Sequence, residues 1–142
     1  MTSIGVLEHV RQEGGDELKS LQEIRRILKP GGIFFCVHFP NRYSWIEAIS
    51  RKIPSKHNHP FTFTRKDIRN LNGSADLELL DQGSYAMLPR NELARLPGNV
   101  KNSAWFVKSY NAMDRVLQSL FPMFTQNHYF VSKKPSTSVE GR

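Results

Sequence analysis

The stretch from Asp16 to Phe39 constrains the fold of this chain more than any other. Leu18, Leu21, Ile24 and Ile27 or Leu28 recur every three to four residues, the spacing of an amphipathic helix, and Asp16 stands where its cap belongs. Lys29 suits the negative end of that helix, and Pro30 with the Gly31-Gly32 pair stops it. Ile33 to Phe39 follows at once as Ile-Phe-Phe-Cys-Val-His-Phe, with almost no polar alternation. Such a run predicts a strand buried on both faces, as in a parallel sheet. Thr2 to Leu7 reads as a short apolar strand ahead of the turn Glu13-Gly14-Gly15. Strand, helix and strand joined by short turns make a βαβ unit with a right-handed crossover. The fold class is therefore α/β.

Downstream, Trp45, Ile46, Ile49 and Ile53 form a stripe on a short helix, and residues 54–60 form a polar loop. Phe61-Thr62-Phe63 leads into a small helix capped by Thr64, with Ile68 and Leu71 inward and Asn72-Gly73 at its end. Leu77 to Met87 reads as a strand with a break or bulge near Gly83. Leu88 to Ser109, punctuated by Pro89, Pro97 and Gly98, reads as irregular. Tyr110, Met113, Val116, Leu117, Leu120 and Phe121 mark another amphipathic helix, closed by Pro122. His128 to Ser132 is a last strand, and the tail 134–142 is expected to be disordered.

The 142 residues, 39% of them hydrophobic, suffice for one domain, placed at 1–133, and are too few for two. A single cysteine, Cys36, excludes an internal disulfide framework and reads as an inert core residue in mid-strand. No secretory leader and no apolar run of membrane-spanning length is visible, so a cytoplasmic location is expected. The net charge of +7 is scattered over helix ends and solvated faces, which argues against a dedicated nucleic-acid role.

In open α/β sheets, ligands sit beyond the carboxyl ends of the parallel strands. Here those ends are Glu8-His9 and Pro40-Asn41, on one rim. Glu8 and His9 offer an acid–base pair or two hard metal ligands; equally, Glu8 can pair locally and His9 pack at a strand end. His57 and His59 stand in a polar loop without a nearby carboxylate and read as solvent-exposed. The Gly14-Gly15 and Gly31-Gly32 pairs read as turn glycines rather than phosphate cradles.

Ser3-Ile4-Gly5-Val6-Leu7-Glu8-His9-Val10, then Leu21 to Arg26, then Ile27-Leu28-Lys29-Pro30-Gly31-Gly32, resembles the central block of class I S-adenosylmethionine-dependent methyltransferases. In that family the fourth strand ends in a Leu-Glu-His-type turn, and a helix closing in Lys-Pro-Gly-Gly leads into the fifth. Asn41-Arg42 and Ser44-Trp45 add a likeness to the O-methyltransferases of quinone biosynthesis. The resemblance implies a Rossmann-like sheet holding strands four to seven with intervening helices, the last strand antiparallel, and cap segments at about 42–66 and 88–109.

It further implies methyl transfer to a small-molecule or lipid-like acceptor. Ser3, Ile4 and Gly5 would lie beside the cofactor, His9 and Glu8 would be catalytic, and Asn41 and Trp45 would belong to the substrate site or its lid. Quinone-pathway relatives carry a magnesium-ligating glutamate where this sequence has Gly5, so no metal is expected. The family's glycine-rich cofactor loop and the acidic residue after its second strand have no counterpart here. S-adenosylmethionine binding by this chain alone is accordingly expected to be weak or absent, with a second chain completing the sheet. The alternatives are a non-catalytic complementing half and a basic module for RNA or a membrane surface. The Trp45–Ile53 helix reads as core or lid, as a peripheral membrane anchor, or as a partner-binding helix.

Overall fold

The computed structural model describes residues 1–11, 13–53, 59–90, 93 and 95–136, and Glu8 by its backbone alone. Strand β1, Thr2–Ile4, is followed by a 3-10 turn, Leu7–His9, and helix α1, Glu17–Ile27. Then come β2, Ile33–Pro40; α2, Trp45–Ser50; α3, Arg65–Ser74; and β3, Glu78–Tyr85. Helix α4, Gly98–Lys101, helix α5, Ala104–Leu120, a 3-10 turn at Pro122–Phe124 and β4, Asn127–Lys133, complete the order.

The four strands form one sheet in the order β1-β2-β4-β3. β1 and β2 are parallel, with Thr2 opposite Phe35 and Ile4 opposite Val37. β4 runs antiparallel to both β2 and β3, so the last strand in sequence lies between two earlier ones. This is the expected Rossmann-like arrangement with an antiparallel final strand.

Local chemistry sets the element ends. Asp16 caps α1 by accepting from the amides of Leu18 and Lys19, which holds its carboxyl below the usual range. Thr64 and Asp67 make a reciprocal capping box at the start of α3. Gly31, at φ +75°, and Gly32 turn the chain into β2, where Lys134 bonds both backbones. The Lys134 ammonium also donates to the Leu28 carbonyl at 2.7 Å, so the final strand's pairing runs one residue into the segment read as tail. Residues 137–142 lie outside the described residues.

The core lies on one face of the sheet, where α1 and α3 bring Leu21 and Ile68 against Phe34, Cys36, Phe39 and Phe130. Each large side chain so buried stabilises the fold by roughly 2 kcal/mol. Phe39 reaches this face because β2 carries a bulge between Cys36 and Phe39, which resets the alternation by one residue. Across the same layer the Ser132 hydroxyl donates to the Asn72 side-chain oxygen at 2.5 Å, while the Asn72 amide donates to the Ile68 carbonyl.

The sequence reading of β2 as buried on both faces is corrected. Ile33 is 51% and Phe35 37% exposed, and Ile4 beside them is 61% exposed. No described helix covers this second face, so the uninterrupted apolar run shows solvent an apolar surface. β1 is also shorter than expected, because Gly5 at φ +65° turns the chain into the Leu7–His9 turn.

The irregularity expected at Gly83 falls instead at Leu80, the unpaired residue between Leu79 and Asp81. Gly83 lies opposite Tyr129, whose ring occupies the space a Cβ would need, so this glycine marks a close approach. The segment 88–109 is not irregular throughout, since α4 lies within it and α5 starts at Ala104 with Ser103 as its cap. Helix α3 likewise runs through Gly73 to Ser74. In α2 the buried residues are Glu47 and Ser50, and Ile49 is exposed, which reverses the stripe read from the sequence.

Candidate functional site

The carboxyl ends of β1 and β2 and the end of β3 build one rim. The bulge that returns Phe39 to the core leaves His38 at φ +64°, and Ala86, just past β3, sits at φ +61°. Left-handed backbone costs a residue with a Cβ about 1 kcal/mol, and such strain collects at functional sites. His38 is held there by Tyr85: its amide donates to the Tyr85 hydroxyl at 2.9 Å, and the two rings meet edge-on at 5.8 Å.

Facing them is a carboxylate–imidazole pair. His59 Nδ1 lies 2.8 Å from Glu47 Oε1, and the His59 backbone amide donates to Glu47 Oε2 at 3.2 Å. Burial raises the Glu47 pKa, but the His59 bonds and charge outweigh it and hold the carboxyl below its ordinary value. Glu47 is therefore ionised near neutral pH, and His59 donates to it through Nδ1. The His9 ring lies 5.8 Å from that of His59. Arg11 anchors the turn bearing His9, since its guanidinium donates twice to the buried Glu17 carboxylate at the start of α1, at 2.6 and 3.0 Å.

A pocket of about 180 Å³ opens between these groups, lined by His38, His59, Tyr85 and Arg90 with Asn127 at its base. Arg90 pairs with the buried Asp114 of α5 at 2.8 Å, which carries the helical insertion to the rim. Two imidazoles, a phenol and a guanidinium suit proton acceptance from a small nucleophile and retention of a negative group. Along the outer edge of β1 runs a longer apolar groove of about 420 Å³, floored by Ser3, Ile4, Leu7 and Ile24. Among the described residues no strand pairs with that edge.

The residues singled out from the sequence fall into three groups. Ser3, Ile4 and Gly5 lie at the end of β1, beside the groove, and His9 stands on the rim. Asn41, read as a substrate or lid residue, is buried at the wall of a pocket of about 300 Å³. Both its amide hydrogens go to backbone carbonyls, of Met123 and Thr125 at 2.8 Å, so it holds the turn before β4. Trp45 is partly buried with its indole N–H donating to the Met87 carbonyl at 2.8 Å, tying α2 to the chain beyond β3. His57 and the Glu8 side chain lie outside the described residues.

Sequence reasoning missed Glu47, His38, Tyr85 and Arg90, and took His59 for a solvent-exposed loop residue. The lone histidine near the end of an apolar strand was the available signal for His38. Glu47 bears on His59 only through the path of the intervening loop. Among the described residues, no three His, Cys, Asp or Glu side chains gather as a metal site. No described helix is long and apolar enough to cross a membrane.

No protein-family model matches the chain, and none of the curated proteins does. Solved structures match its fold. The Haloferax volcanii complex of the Trm112 methyltransferase activator with a protein described as a methyltransferase aligns over 94% of this chain, with TM-score 0.52 and 22% identity. The cyclase SpnF aligns over 94% with TM-score 0.51 and 15% identity. Phosphoethanolamine N-methyltransferase 2 of Haemonchus contortus, in complex with S-adenosyl-L-methionine, aligns over 94% with TM-score 0.53 and 17% identity. The alignments span 52%, 48% and 32% of those chains, about half their length or less. The fold is thus a Rossmann-like α/β sheet shared with these proteins, represented here by four strands. That a cyclase shares it shows that the sheet alone does not fix the reaction.

Proposed function

We propose that this chain is the acceptor-side half of an S-adenosylmethionine-dependent methyltransferase, completed along the open edge of β1 by a segment bearing a glycine-rich loop. The observation that carries the reading is the file Glu47, His59 and His9 on the rim. Gly5, left-handed and without a side chain, fits the close approach of a bulky cofactor at a strand end, with Ser3 and Ile4 flanking it. When bound, S-adenosylmethionine supplies a methyl group on a positively charged sulfonium. This chain's own residues handle the acceptor, a small-molecule or lipid-like nucleophile. His59 takes its proton, the Glu47 carboxylate steadies the imidazolium that forms, and His9 flanks the ring. A base so placed contributes about 10²–10⁴-fold.

The uncovered sheet face supports the need for a completing segment, because Ile4, Ile33 and Phe35 lie where a second layer would pack. Titration calorimetry with S-adenosylmethionine tests the proposal, on the chain alone and on the chain co-purified with a glycine-loop-bearing segment. Binding is expected in the complex and not in the lone chain, with His59→Gln lowering kcat about a hundredfold at unchanged cofactor affinity. Unchanged turnover in that variant removes the base assignment. A chain that never binds S-adenosylmethionine but retains RNA on a filter is instead a basic binding module.

A further inference from the structure

On the opposite side of the β2–β4 ladder end lies a second pocket, of about 300 Å³, which shares no lining residue with the rim pocket. Its floor is the pair Ser84 and His128, opposite each other in β3 and β4 and both buried. Its mouth carries Arg65 and Lys66 from the first turn of α3, with Tyr43 and Met123 as walls.

The hydrogen bonds define what the floor can do. His128 Nε2 lies 3.2 Å from the Phe63 carbonyl and can only donate to it, so Nδ1 holds a lone pair and accepts from the Ser84 hydroxyl at 2.8 Å. The Ser84 oxygen in turn accepts from the Arg65 guanidinium at 3.2 Å. Burial pushes the His128 pKa down to about 4, too weak a base to activate Ser84 as a nucleophile near neutral pH. The dyad is a neutral brace under a guanidinium, which leaves the pocket as a binding site.

Charge decides the ligand class. No carboxylate lines the pocket among the described residues, whereas two cations stand at its mouth. Asp67, in the first turn of α3, is engaged by Thr64 in the capping box. Pro122 and Met123 add an apolar wall. The volume is at the lower end of ligand pockets, enough for a short chain with one polar head.

We infer that this pocket binds a small amphipathic anion, a carboxylate or phosphate monoester whose head pairs with Arg65 and Lys66 and whose short apolar tail lies against Met123. A guanidinium braced at one N–H keeps its remaining donors for a two-oxygen contact. The site is independent of the proposed rim chemistry, and either can fail without the other.

The test is an amide and side-chain NMR titration of the full chain with hexanoate, butyl phosphate, inorganic phosphate and 1-hexanol. Saturable shifts at Ser84, Lys66 and His128 are expected with hexanoate or butyl phosphate, the stronger of the two naming the head group. Arg65→Met is expected to weaken binding at least tenfold, and Lys66→Met, at an exposed position that leaves the Ser84 brace intact, severalfold. No saturable shift with either amphipathic anion would overturn the inference, as would 1-hexanol binding as tightly as hexanoate. Inorganic phosphate binding as tightly as butyl phosphate would overturn the role of the apolar wall. Retained affinity in Lys66→Met and Arg65→Met together would overturn the ion pairing.

Discussion

The His38 amide donates to the Tyr85 hydroxyl at 2.9 Å, so a residue held at φ +64° on one strand depends on a phenol two strands away. Nothing in β4, which lies between them, supplies that acceptor. Removing the hydroxyl while keeping the ring separates the bond from the packing. Tyr85→Phe is expected to lose about 1 kcal/mol of stability, the usual net worth of one hydrogen bond. Urea melts with an unchanged m-value check it, and a loss within error would mean that the ring contact alone holds His38.

Glu17 is wholly buried and receives both of the Arg11 bonds described above. Arg11→Ala strands that carboxylate and frees the turn that carries His9. Because the outer part of Arg11 is solvated, the expected destabilisation is about 2 to 3 kcal/mol, below that of a fully buried pair. Arg11→Met combined with Glu17→Gln is expected to recover most of it. A double variant no better than the single one would refute the pairing as the cause.

His128 makes stability pH-dependent. Its folded pKa, about 4, lies below the ordinary 6.5, so between those values the unfolded chain binds a proton that the folded chain refuses. Its contribution is therefore complete above pH 6.5 and is lost as pH falls towards 4. The drop corresponds to about 3 kcal/mol in order of magnitude. His128→Gln is expected to flatten the difference between melts at pH 7 and pH 4.5. An equal slope in both proteins would assign the acid sensitivity to other groups.

The open face carrying Ile33 and Phe35 should make the isolated chain self-associate, as exposed apolar sheet surfaces do. Sedimentation velocity is expected to show a weight-average mass that rises with concentration. Phe35→Thr with Ile33→Thr should suppress the rise. A strictly monomeric parent protein would refute self-association through this face.

Much of the fold was legible because its signals are local. Asp16 and Thr64 announce their helices through side chains that cap amides a few residues away, and Lys29-Pro30-Gly31-Gly32 ends α1 by chemistry internal to itself. The bulge at His38 was not legible, since an apolar run reads the same whether or not one residue is skipped. Nor was the exposure of Phe35, because a sequence records that a side chain is apolar and not whether anything lies over it. In the candidate site, His9 stood out from its place after a strand. His59 could be paired with Glu47 only once a loop had brought helix and histidine together, and Asn41 gave no sign that backbone carbonyls would take its amide.

The strand order has a consequence for how the molecule comes into being. β4 is the last of the four strands to be synthesised, yet it is the interior strand through which β3 joins the sheet. In the folded sheet β2 and β3 stand roughly 10 Å apart, two strand spacings, with β4 between them. Neither antiparallel ladder can close until Asn127–Lys133 leaves the ribosome. The sheet is thus assembled after its parts are made, and during that interval the chain depends on whatever shields its open strands.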